Sequence, residues 1–162
     1  MPSSPAHKGA GVGLYTAEER LRRDQTVWTT VQAVLAPLQF AAFAISLVLV
    51  LRFVMTGAGY EAATISILIK TALLLTIMVT GAIWEKVVFG QFLFAPAFFW
   101  EDVVSFVVIA LHLAYVCVLL TGRLGPDGQM LVALAAYAAY VVNAGQFLMK
   151  FRAARLGAGV PA

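Results

Sequence analysis

Residues Gln25–Leu51 read QTVWTTVQAVLAPLQFAAFAISLVLVL, a run of 27 residues without one Asp, Glu, Lys or Arg. About 20 apolar residues in a helix cross the roughly 30 Å hydrocarbon core of a bilayer. This run is long enough to do so with a turn to spare. Three further charge-free runs follow at 71–84, 103–122 and 128–149. The last two qualify unaided, and 71–84 reaches the required length when extended back through Lys70 to Glu61. The sequence therefore predicts four transmembrane helices, at about 30–53, 61–83, 100–121 and 128–149.

Composition agrees. Of 162 residues, 62% are hydrophobic and 12% charged, with a mean hydropathy of +0.90. A soluble domain is about 45–50% apolar and about 25% charged. A water-soluble globule, a disordered tail and a nucleic-acid binder are all excluded, despite a net charge of +3. The fold class is an all-α integral membrane protein: a four-helix bundle with an amphipathic N-terminal helix and an aromatic interfacial loop between the second and third spans. Residues 1–13 read as a disordered tail, 14–156 as a single membrane domain and 157–162 as a C-terminal tail. No cleavable signal is evident in residues 1–24, which lack a short apolar core.

Orientation follows from the cations. Lys8, Arg20, Arg22, Arg23, Lys86, Lys150, Arg152 and Arg155 lie on the side shared by both termini and the middle loop, against Arg52 and Arg123 opposite. The positive-inside rule places both termini of this multi-pass membrane protein in the cytoplasm. Thr16-Ala-Glu-Glu19 is a capping box that starts a polar helix near residue 17. Pro37 is expected to kink the first span. Ala133, Ala135, Ala136, Ala138 and Ala139 make the fourth span suited to close packing. The lone cysteine, Cys117, reads as an apolar filler.

Polar residues inside the spans carry the functional signal, because a charge at mid-bilayer costs ~3 kcal/mol or more. Lys70 falls near the midplane of the second span and His112 near the middle of the third. Each has a plain reading, as a paired lysine and a packing histidine. His112 also has the alternative of binding a metal through a neutral ring nitrogen. Gln39, Asn143 and Gln146 add neutral polar groups in the half nearer the termini, where interhelical hydrogen bonding explains them adequately. Three of the eight acids, Glu85, Glu101 and Asp102, flank the middle loop from Trp84 to Trp100, which also carries Phe89, Phe92, Phe94, Phe98 and Phe99. Its plain reading is an aromatic anchor; its functional reading is a platform for a flat hydrophobic ligand. Glu101 and His112 share a face of one helix but stand roughly 16 Å apart along it, so they are placed to touch opposite parts of one large ligand. There is no phosphate loop, no HExxH and no paired cysteine. Bis-histidine haem is disfavoured with only His112 in a span.

Three stretches carry a resemblance: Tyr15-Thr-Ala-Glu-Glu-Arg20, Gly59-Tyr-Glu-Ala-Ala-Thr64, and Gly81-Ala-Ile-Trp-Glu-Lys-Val-Val-Phe-Gly90 running on to Ala95-Pro-Ala-Phe-Phe-Trp-Glu-Asp102. Over about Leu14–Leu156 the chain resembles the vinyl bacteriochlorophyllide hydratase family of phototrophic bacteria. The resemblance implies a hydro-lyase that adds water to the 3-vinyl group of chlorophyllide a or a bacteriochlorophyllide precursor, giving a 3-(1-hydroxyethyl) group. It implies no cofactor beyond the magnesium that the substrate itself carries. Partners are the tetrapyrrole and the bilayer, with a homo-oligomer or pathway enzymes left open. Glu101, Asp102 and Glu85 then become the catalytic candidates, Glu101 as the acid kept neutral by its aromatic flank and Asp102 or Glu85 as the base. His112 becomes a candidate axial ligand to the substrate's magnesium. Lys70, Lys86, Trp84, Trp100, Phe98, Asn143 and Gln39 complete the expected substrate-binding set. Lys86, Arg152 or Arg23 would pair with the substrate's propionate. The runner-up reading is a non-catalytic pigment carrier or assembly factor using the same pocket, and a small transporter is a third.

Overall fold

The computed structural model describes residues 13–158. Among them are five helices and no strand: α1 (Ala17–Gln25), α2 (Val27–Thr56), α3 (Tyr60–Phe89), α4 (Phe99–Thr121) and α5 (Pro126–Ala158). The last four are long and apolar enough to cross a membrane. The expected tail 1–13 lies outside the described residues except for Gly13. The expected C-terminal tail begins as helix, since α5 continues through Gly157 and Ala158.

Local chemistry sets the helix ends. The capping box forms as the sequence predicts: Glu19 N donates to Thr16 Oγ1 at 3.2 Å and Thr16 N donates to Glu19 Oε2 at 2.8 Å. Thr26 ends α1 and caps α2, its hydroxyl accepting from Trp28 N at 3.3 Å. Gly57 stops α2 and Gly90 stops α3, each with positive φ (70° and 85°). A side chain would oppose that backbone.

Two helices end later than the charges suggest. α3 runs on to Phe89, so Trp84, Glu85 and Lys86 are helical and the connecting loop is only residues 90–98. Glu85 had read as a boundary but is buried, while Lys86 lies on the exposed side. α5 also passes beyond Lys150 and spans 33 residues. At 1.5 Å per residue it is ~50 Å long, well over the hydrocarbon thickness.

The bundle is two helical hairpins. α2 packs mainly on α3 and α4 mainly on α5, while α2–α5 and α3–α4 contacts join the pairs and α1 lies against α3. The core between them is built by Phe43, Ile67, Leu74, Val108, Met130 and Tyr137, among others. Ala133 and Ala136 are buried and let α5 approach its neighbours. Phe43 wedges against Tyr137 and Tyr140, ring centroids 5.4 and 4.9 Å away. Large apolar side chains such as Val48, Ile69, Leu120 and Leu148 point outward, as helices solvated by lipid require. Cys117 faces outward too, so it fills no gap in the core.

Candidate functional site

Polar side chains gather in two places. The first is the end of the bundle where α1, the 90–98 loop and the last turns of α5 meet. Asp102 and Glu101 occupy the first turn of α4, where acidic groups complement the helix dipole. Asp102 Oδ2 accepts from Phe94 N at 2.7 Å, and Glu85 Oε2 accepts from Ala95 N at 3.2 Å. The loop presents these two amides through an uncommon backbone: Leu93 and Phe94 have φ of 137° and 56°. Such strain persists only where surrounding contacts fix it. Because Phe94 and Ala95 are consecutive, the two buried carboxyl groups are brought side by side. An ionised carboxylate has no donor, so a bond between them requires one proton on the pair.

Glu101 points elsewhere. Its Oε2 is 2.6 Å from Lys150 Nζ, which also donates to the Ala97 carbonyl. The Glu101 backbone carbonyl accepts from Asn143 Nδ2 at 2.9 Å. Ser105 Oγ lies 2.8 Å from that carbonyl and 3.1 Å from Asn143 Oδ1. The sequence places Glu101 against an aromatic flank, whereas in the structure its carboxyl faces Lys150. Lys150 lies outside the residues that the sequence singles out for the site. The signal for it was present, because it stands two turns beyond Asn143 on one face of α5.

Aromatic residues enclose this end. Phe98, only 1% exposed, packs on Trp84 (5.6 Å), Phe89 (5.8 Å) and Phe147 (5.9 Å). Trp84 Nε1 donates to Thr29 Oγ1 at 2.9 Å, tying α3 to α2. Trp100 is 67% exposed and faces outward with Phe92, Phe94 and Phe99. Of the surface cations, Lys86 donates to the Gly90 carbonyl at 2.8 Å. Arg23 pairs with Asp24 at 2.7 Å and lies over the Tyr15 ring. Burial pushes the Tyr15 phenol above its usual range, and Arg23 opposes the shift. Arg152 is exposed.

The second gathering lies deep between the hairpins. Lys70 is 0% exposed, His112 1% and Gln39 3%. Lys70 Nζ sits 3.7 Å above the Tyr140 ring and 5.8 Å from that of Tyr137. His112 Nδ1 is 2.7 Å from the Val108 carbonyl, and its ring centroid is 5.8 Å from that of Tyr137. Tyr137 OH bonds Ser46 at 2.5 Å, and Ser46 bonds Ser66 at 2.7 Å. Lys70 Nζ, His112 Nε2 and both amide atoms of Gln39 have no hydrogen-bond partner among the described residues. The tyrosines were missed from sequence, although Tyr137, Tyr140 and Asn143 recur at three-residue steps along one face of α5.

The structure thus joins Glu85 with Asp102 and, separately, surrounds Tyr137 with Lys70 and His112. Two open clefts of about 330 and 390 Å³ lie on the α2–α3 surface, lined by Thr76 and Thr80, and touch neither group. Among the described residues there is no set of three side chains suited to hold a metal.

Comparison with known proteins places this architecture. Residues 15–153 match the family model of 2-vinyl bacteriochlorophyllide hydratase. The chain belongs to that family. The hydratase of Rhodobacter capsulatus is 72% identical over 159 residues, covering 98% of this chain and 91% of the relative. That of Cereibacter sphaeroides is 69% identical over 159 residues, covering 96% of each. Both bear the name 2-vinyl bacteriochlorophyllide hydratase. No solved structure matches. The hydratase family match spans α1 to the last turns of α5 and so includes both polar gatherings. The resemblance carried by Tyr15–Arg20, Gly59–Thr64, Gly81–Gly90 and Ala95–Asp102 thus holds over nearly the whole chain.

Proposed function

We propose that this chain adds water across the vinyl group of a bacteriochlorophyllide-type macrocycle in bacteriochlorophyll biosynthesis, and that Glu85 and Asp102 perform the proton transfers. Family membership supports the reaction. The observation that carries the mechanism is that two buried carboxyl groups, Glu85 and Asp102, are held on the consecutive amides of Ala95 and Phe94, beside a wall of aromatic rings.

Hydration needs one proton delivered and one removed. The protonated carboxyl gives its proton to the terminal vinyl carbon, leaving a cation at the adjacent carbon that the macrocycle delocalises. Water attacks that carbon, and the ionised carboxyl takes the proton it releases. The pair ends with one proton, as it began, with the two roles exchanged. Proton exchange between the adjacent carboxyls then resets them for the next turnover.

Glu101 has a different task in this scheme. Bound to Lys150, it fixes α5 against the start of α4 and holds Asp102 in register. The loop's Phe94 and Ala95 amides keep both acidic groups aimed at one point. The excess of Lys and Arg at this end, eight against two opposite, supports an inner-membrane protein with this end in the cytoplasm.

The test is to incubate membranes containing the chain with chlorophyllide a. A product heavier by one water and blue-shifted in absorption is expected. Pigment binding without that product would favour a carrier.

A further inference from the structure

Asp102 and Glu85 are 3% and 5% exposed, so a large ligand reaches them only where a side chain can move aside. Two flanks of the pair differ in this respect. Phe98, four residues before Asp102, is 1% exposed and wedged among Trp84, Phe89 and Phe147. Entry there would unpack a core. The other flank is a single layer of rings. Phe99 and Phe106 stand three residues before and four residues after Asp102, on the same face of α4. They are 42% and 43% exposed, and Phe94 beside them is 39% exposed.

The Phe94 ring bridges the other two. Its centroid is 5.7 Å from that of Phe99 and 5.5 Å from that of Phe106, and it lies within 13° of parallel to the latter. Residues seven apart on a helix are separated by ~10.5 Å along the axis. The two distances just span that separation, so the Phe94 ring sits near the midpoint, level with Asp102. The backbone of the same residue holds the carboxyl, Phe94 N donating to Asp102 Oδ2 at 2.7 Å. Both contacts are made from a φ of 56°, uncommon for a bulky residue. An exposed side chain changes rotamer in picoseconds to nanoseconds. The ring can therefore turn away about its own bonds while its N–H stays on Asp102.

Shape and place together describe the occupant. A slot walled by two aromatic rings and filled by a third, at stacking distance, suits a flat unsaturated ring better than a saturated acyl chain. It opens on the exposed flank of α4 and ends on the carboxyl pair. We propose that the Phe94 ring marks the place of the vinyl-bearing edge of the macrocycle. The pigment slides in from lipid, Phe94 turns aside, and Phe99 and Phe106 receive the edge so that the vinyl group meets Asp102. The inference rests on the hydratase reading for the identity of the ligand, and deepens it by giving the substrate its route and orientation. Phe99 and Phe106 are then binding residues, and Phe94 is a gate that competes with the substrate.

The test is an absorption titration of the purified full chain in detergent with chlorophyllide a, with hydrated product followed by mass. Phe99→Ala and Phe106→Ala should each raise Kd about fivefold, the scale of one aromatic pair. Phe94→Ala should lower Kd by about the same factor, because no stacked ring has to be displaced. Phe94→Gly also removes the ring but suits the positive φ, so it should match Phe94→Ala and separate the ring from the loop backbone. Phe40→Ala, which removes a 58% exposed ring on α2, controls for simple partition into the micelle and should leave Kd unchanged. Damage to the fold can only weaken binding, so it cannot mimic the gain. Either half missing overturns the proposal: Phe94 variants that bind no more tightly than the wild type, or Phe99 and Phe106 variants that bind no more weakly than Phe40→Ala. An acyl chain as the natural occupant would give a Kd indifferent to all three rings, which also overturns it. The expected pattern without hydrated product would instead sink the hydratase reading and leave the slot standing. Hydrated product without the pattern would do the opposite.

Discussion

The two polar regions of this bundle solve opposite problems. At the loop end, every acidic group has a partner: Asp102 and Glu85 take loop amides, and Glu101 takes Lys150. Between the hairpins, Lys70, His112 and Gln39 are buried and carry atoms with no hydrogen-bond partner among the described residues. Satisfied groups stabilise the fold and fix geometry, whereas unsatisfied ones lower stability. The acidic pair is therefore suited to preset chemistry, and the interior cluster is where the bundle gives up stability.

The sharpest way to break this contrast is at the pair. Asp102→Asn or Glu85→Gln should cut the rate of product formation by about 10³-fold, within the usual range for general acid–base catalysis. The double variant should be little worse than either single one, because the two act as a unit. Wild-type turnover in Asp102→Asn would show that the pair only holds the loop. Next comes Lys150→Met, which strands Glu101. Thermal unfolding should reveal a loss of about 2 kcal/mol, below the range for a fully buried pair because Lys150 is partly exposed, and adding Glu101→Gln should recover most of it. The interior cluster should respond with the opposite sign. Lys70→Met removes a bare buried group and should raise the melting temperature of the ligand-free protein, by roughly 1–3 kcal/mol of stability. A fall would mean that Lys70 is paired in solution. The smallest effect is expected from Tyr137→Phe. Ser46 keeps its bond to Ser66, so about 1 kcal/mol should be lost.

The sequence and the structure part company in an instructive way. Span number was legible because hydrocarbon thickness sets a minimum length that charge-free runs either meet or miss. Helix ends were not, because charge was read as water exposure. Glu85 is charged in type yet buried against loop amides, and Lys150 continues α5 while reaching back to Glu101. The acidic cluster was visible as composition, but its division was not. Glu101 and Asp102 are chain neighbours, yet successive residues point about 100° apart on a helix. One therefore meets α5 and the other meets Glu85. Their arrangement also depends on left-handed backbone at Leu93 and Phe94, which neither residue type advertises. Lys70 and His112 were legible as misfits in lipid, but only three dimensions put them around one tyrosine.

The length of α5 has a consequence for where the reaction runs. Its 33 residues outreach the hydrocarbon, and the overhang carries Lys150 across the carboxyl end of the bundle. With the carboxyl pair acting as proposed, water reaches it from the aqueous side and pigment from the lipid. Neither reactant has to cross. Such a catalyst obeys surface-dilution kinetics: turnover should follow the mole fraction of pigment in the lipid, and fall when inert lipid is added at constant total pigment.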